Sequence, residues 1–131
     1  MSQEVDGDCC SVKEKSVLIV DDSEFMRTVI SDAVRQCPRL RVAGEAGDGD
    51  EALELIRKLR PDVVTLDLRM PRMQGLAVLR ALKEEGLNSQ VIVLSGLMDA
   101  ADRQESLRHG ARAVFEKTEE FEEFRRALAQ L

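Results

Sequence analysis

An open α/β domain built on a five-stranded parallel sheet is what this chain predicts, on three observations. Short aliphatic runs alternate five times with segments of helical spacing, the pattern of repeated strand–helix units. The central run, Val63-Val64-Thr65-Leu66, has no polar alternation, as expected of a strand covered on both faces. Three runs end in groups that seek water or a partner: Asp21-Asp22, Asp67 and Ser95. Right-handed crossovers then place helices on both faces and gather these strand ends along one edge.

In chain order, Met1 to Lys15 is polar and non-periodic and reads as a disordered leader, with the folded unit expected over 16–131. Ser16 to Val20 is the first strand. Ser23 is placed to cap a helix carrying Phe25, Met26, Val29, Ile30, Ala33 and Val34, which Pro38 stops. Leu40 to Glu45 alternates weakly as a second strand. Asp48 with Glu51 has the spacing of an acidic capping box before Ala52, Leu53, Ile56 and Leu59. After the central strand, Leu76, Leu79 and Leu82 mark a third helix, closed by Gly86. Gln90 to Ser95 is the fourth strand. Asp99 caps a fourth helix with a thin apolar stripe, ending near His109-Gly110. Ala111 to Phe115 is the fifth strand, and Phe121, Phe124, Leu128 and Leu131 repeat at helical spacing in the last helix.

The totals exclude several classes of function. At 131 residues the chain is one domain, with roughly 65–70% of its unfolded surface buried. It has no Trp or Tyr, so the core is aliphatic and platforms for stacking bases or flavins are lacking. A net charge of −6 opposes non-specific nucleic-acid binding. Cys9, Cys10 and Cys37 are odd in number and lack CxxC spacing, which fits neither a disulfide framework nor zinc. With neither a signal peptide nor an apolar run of membrane length, the chain reads as a soluble protein of a reducing cytoplasm, without membrane contact.

The strand ends carry the chemistry. Asp21, Asp22 and Asp67 meet at one edge, with Ser95 after the fourth strand and Lys117 just past the fifth. Two carboxylates about 4 Å apart repel by roughly 4 kcal/mol at an effective dielectric near 20. Such a cluster holds a proton or a cation, and oxygen donors with open positions suit Mg²⁺. A carboxylate beside Mg²⁺, a flexible ammonium and a hydroxyl form a set suited to phosphoryl transfer, with Asp67 as nucleophile.

Asp21-Asp22, the stretch Asp67-Leu68-Arg69-Met70-Pro71-Arg72-Met73-Gln74-Gly75, Ser95-Gly96 and Phe115-Glu116-Lys117 resemble the signature of response-regulator receiver domains of two-component signalling. The wording is closest to chemotaxis receivers, including those attached to chemoreceptor methylesterases, although no esterase domain lies in these residues. The resemblance implies a flavodoxin-like (βα)5 fold with strand order 2-1-3-4-5. It implies that Asp67 is the phosphoacceptor, with Mg²⁺ held by Asp21, Asp22, Asp67 and the backbone carbonyl of Arg69. Lys117 would pair with the phosphoryl group, Ser95 would move toward it, and Phe115 would change rotamer with Ser95.

The donor would be a histidine kinase or phosphotransfer protein. Output would run through a partner protein, or a homodimer, at the face made by helix four, strand five and helix five. On this reading the chain is a switch that promotes only its own phosphorylation and dephosphorylation, and not an enzyme. Arg69 and Leu97 would tune phosphoryl lifetime, and Gln74 replaces a common Asp or Asn in the turn. Thr118 stands where proline is frequent, and a cis bond there would cost about 3–4 kcal/mol.

The rivals are weaker. A haloacid-dehalogenase-type phosphatase needs a second Asp two residues after the nucleophile, where this chain has Arg69. A flavodoxin needs a hydroxyl- and Gly-rich loop after strand one, where this chain has Asp21-Asp22. A scaffold receiver that is never phosphorylated would not need the complete set. Gly44, Gly47 and Gly49 do not form a dinucleotide fingerprint, Asp48 to Glu51 lacks calcium-loop spacing, and His109 has no second metal ligand beside it.

Overall fold

The structure, a computed structural model, describes residues 14–70, 72–96 and 98–131. Most of the expected leader, together with Cys9, Cys10, Pro71 and Leu97, lies outside the described residues. Strands β1 (Lys15–Val20), β2 (Leu40–Ala46), β3 (Val63–Leu66), β4 (Gln90–Ser95) and β5 (Ala113–Glu116) alternate with five helices. These are α1 (Glu24–Arg35), α2 (Gly49–Leu59), α3 (Gly75–Glu84), α4 (Ala100–Arg108) and α5 (Phe121–Ala129). The sheet is parallel throughout, in the order β2-β1-β3-β4-β5, so the flavodoxin-like expectation holds. Lys15 belongs to β1 and not to the leader.

Register sets up the site. Val20 pairs with Leu66, and Leu66 with Val93. Asp67 N then donates to Val20 O at 3.0 Å. The residues that follow each strand therefore emerge side by side. Alternation splits the strand side chains between two apolar layers. Leu18, Val20, Val64, Leu66, Val91 and Val93 face α2 and α3, which contribute Ala52, Leu53, Ile56, Val78, Leu79 and Leu82. Val17, Ile19, Val63, Ile92 and Leu94 face α1 and α5, which contribute Ile30, Ala33, Val34, Phe124 and Leu128. Phe124 is fully buried between Phe115 and Phe121. Phe124→Ala is expected to cost about 3–5 kcal/mol in urea unfolding, the transfer term plus the cavity left by the ring.

Helix ends follow their sequence signals, with one correction. Ser23 Oγ accepts from Met26 N at 3.2 Å, and Asp99 with Asp102 forms a complete capping box. The box expected at Asp48 is only half made. Asp48 accepts from Glu51 N, but Glu51 Oε1 takes Gly47 N at 2.8 Å instead of the N–H of Asp48. Gly86 and Gly110, at φ +68° and +100°, close α3 and α4 with paired bonds back to the last turn. The thin stripe foreseen for α4 is thinner still: Ser106 is its one buried residue, and Leu107 is 48% exposed. No cis peptide occurs among the described residues, and no described helix is long and apolar enough to cross a membrane.

Candidate functional site

Asp67 follows β3 and is 4% exposed. Its Oδ1 accepts from Ser95 Oγ at 2.9 Å and from Arg69 N at 3.2 Å. Lys117 Nζ lies 3.2 Å from its Oδ2 and 2.7 Å from Asp21 Oδ2. Asp21 is fully buried at the end of β1, and its Oδ1 accepts from Ser23 N at 2.9 Å. Asp21 Oδ2 is buried too, with the Lys117 ammonium as its close neighbour. Asp22 is exposed, yet one oxygen from each of Asp21, Asp22 and Asp67 lies within 4.8 Å of the others. Asp67, Arg69, Gly96 and Lys117 line an open cleft of about 360 Å³ over the site.

The residues expected at the sheet edge are thus brought together, Ser95 included, whose hydroxyl already contacts Asp67. Phe115, half-buried, meets Phe124 edge-on at 6.1 Å between ring centres. The Arg69 side chain points to α4, where Nη2 meets Asp102 Oδ2 at 2.8 Å.

Burial disfavours the charged form of Asp21 and raises its pKa, and Asp67 nearby adds to this, against the lowering influence of Lys117 and Ser23 N. Burial works to lower the pKa of Lys117, but pairing with Asp21 and Asp67 outweighs it and raises the ammonium's pKa. Three carboxylates against one ammonium leave two negative charges, since Arg69 is matched by Asp102. That is the charge of one divalent cation. The all-oxygen donor set and its excess negative charge fit a hard ion such as Mg²⁺.

The same raised pKa has a thermodynamic sign. Asp21 binds its proton more tightly folded than unfolded, so its ionised form subtracts from stability. The penalty is complete above the raised value and fades as pH falls through it. Asp21→Asn is therefore expected to raise the Tm of the metal-free protein near neutral pH. The gain should shrink on acidification, and calorimetry with and without Mg²⁺ should show the variant losing the stabilisation that the ion gives the wild type.

Several contributors escape a sequence reading. Arg27, one turn after Ser23, donates from Nη1 to the backbone O of Asp21 at 2.7 Å and pairs with Glu45 at 3.1 Å, pinning the end of β1. A Cβ on Gly75 would fall 2.5 Å from Asp67 O. Arg103 on α4 reaches Val114 O and Glu120 beside the Lys117 loop. Helical spacing marks Arg27 as lying on the turn after the cap; the other contacts depend on distant segments and carry no local signal.

The open α/β sheet thus carries an acidic, lysine-bearing cleft at the carboxyl edge of its central strands. The response regulator receiver domain profile matches residues 17–129, and the chain belongs to that family. A protein-glutamate methylesterase/protein-glutamine glutaminase of Pyrococcus horikoshii is 50% identical over 97 residues, which are 72% of this chain and 26% of that protein. The nitrate/nitrite response regulator NarL of Escherichia coli is 35% identical over 115 residues, 88% of this chain and 53% of that protein. The response regulator domain of Thermotoga maritima CheB superposes with a TM-score of 0.79 at 33% identity, over 91% of this chain and 98% of that one.

The chain thus spans about a quarter of the methylesterase and half of NarL. These relatives correct one expectation, that of a switch with no enzymatic identity. Several of the proteins that match it over most of its length are enzymes by name. The physical reason is simple: a receiver's acidic cleft carries no information about the catalysis of a polypeptide to which it is joined.

Proposed function

We propose that this receiver takes a phosphoryl group onto Asp67 from a histidine kinase or phosphotransfer protein and thereby controls a partner protein. The observation that carries the reading is the joint contact of Ser95 Oγ and Lys117 Nζ with the two oxygens of one nearly buried carboxylate. A carboxylate oxygen of Asp67 attacks phosphorus; an O–P bond forms as the P–N bond to the donor imidazole breaks, and the imidazole leaves. Lys117 faces the incoming charge, and the Ser95 hydroxyl is free to turn from Asp67 to a phosphoryl oxygen. Asp21, Asp22, Asp67 and the backbone carbonyl of Arg69 would hold Mg²⁺, which would supply charge neutralisation on the transferred group.

The unit that carries this function starts at β1, with Lys15, behind a leader. Phosphorylation shifts the balance between two conformations through Ser95 and Phe115, and the face made by α4, β5 and α5 presents the result to a partner or a second copy. We place the protein in the cytoplasm, in a pathway of the chemotaxis type, on the strength of its methylesterase relatives.

The test is incubation with acetyl phosphate and Mg²⁺ followed by intact mass spectrometry. A gain of one phosphoryl group that chelation of the ion prevents is the expected result. Absence of any gain with the ion present would remove the proposal.

A further inference from the structure

We propose that Glu120, held by Arg103 of α4, is a positioning residue for Lys117; the inference deepens the phosphoacceptor reading and rests on it. Glu120 stands at the start of α5, where a carboxylate ordinarily caps its own helix, yet its side chain makes no such bond. It turns back across the loop instead. Glu120 Oε1 accepts from Glu116 N at 3.0 Å, while Glu120 N donates to Glu116 O at 3.0 Å. The two residues clasp the loop from both sides, and Lys117 is the first residue inside the clasp.

Arg103 locks it. Nη2 donates to the same Glu120 Oε1 at 2.8 Å, and Nη1 donates to Val114 O at 2.9 Å, so one guanidinium spans the chain before and after Lys117. Arg103 and then Glu116 N hold the Glu120 carboxyl below its usual range, as expected of an acceptor used twice. A helix with one buried residue has little apolar reason to sit where α4 sits, and this bridge is one of its attachments. The position of α4 is thereby tied to the backbone that carries the site's ammonium. Lys117 must meet two carboxylates at once, and an error of about 1 Å in such a group costs up to about 10²-fold in rate.

The pair is half exposed, and ion pairs of that kind contribute little to stability. Positioning and mere support therefore separate. The full chain and its Glu120→Ala, Arg103→Ala and Glu120→Gln variants are assayed for initial rate of phosphoryl uptake from acetyl phosphate at saturating Mg²⁺. Mg²⁺ affinity by calorimetry and Tm are measured alongside, with Asp67→Asn as reference.

Glu120→Ala and Arg103→Ala should each slow uptake about tenfold, the double variant no further, with Mg²⁺ binding undiminished and Tm nearly unchanged. Glu120→Gln, which keeps an oxygen acceptor for Glu116 N, should recover most of the rate. Wild-type rates in Glu120→Ala beside an inert Asp67→Asn overturn the positioning role alone. So does a loss that Gln fails to rescue, or one that comes with weakened Mg²⁺ binding or melting. Uptake by Asp67→Asn at the wild-type rate, or none by the wild type, brings down the phosphoacceptor reading itself and this inference with it.

Discussion

Asp67→Asn should take up no phosphoryl group from acetyl phosphate under conditions that label the wild type to completion. The substitution keeps the volume and most of the contacts: the amide oxygen still accepts from Ser95 Oγ and Arg69 N, which meet Oδ1 at 2.9 and 3.2 Å. What it removes is the anionic oxygen that faces Lys117 Nζ at 3.2 Å and that the proposed reaction uses as nucleophile. Stability should not fall with activity. One of three converging carboxylates is gone, and Asp21 no longer feels the Asp67 charge that helps to raise its pKa. The variant should therefore melt no lower than the wild type without metal, and intact mass with a melting curve checks both halves. Labelling at the wild-type rate would place the acceptor elsewhere.

Much of this was legible in the residues themselves. Strand and helix identities follow from aliphatic runs and helical spacing because both layers of the core are made by side chains that alternate along β1, β3 and β4. The convergence of Asp21, Asp67 and Ser95 follows from parallel topology, since register carries every strand's carboxyl end to one edge. What stayed hidden are choices of partner that depend on how segments meet in the fold. The Asp48 cap could not reveal that Glu51 would prefer Gly47 N, because the choice depends on how β2 enters α2. The Arg69 guanidinium goes to Asp102, 33 residues away, and no local pattern predicts that. The enzymatic relatives lie beyond any physical reading of this cleft.

Gly75→Ala should be among the most damaging single-methyl changes in the protein, costing about 3 kcal/mol or more in urea unfolding and slowing phosphoryl uptake as well. The added Cβ would sit 2.5 Å from Asp67 O, 2.8 Å from Leu68 Cα and 3.1 Å from Asp67 C. All three are backbone atoms, so no rotamer change relieves the clash, and overpacking against a fixed main chain exceeds the ~1–3 kcal/mol typical of crowded side chains. Helix propensity would favour Ala over Gly at the start of α3 by up to about 1 kcal/mol, so a net loss means that the close approach dominates. The approach exists because Gly75 N donates to Leu68 O at 3.0 Å, folding the loop after β3 back onto the residue that follows Asp67. A shift of that loop moves Asp67 relative to Lys117 and Ser95, which hang from other strands and would not follow. Stability and uptake should therefore fall together in Gly75→Ala, whereas in Asp67→Asn they part. A Gly75→Ala protein with wild-type stability and labelling would mean that the loop has room to yield.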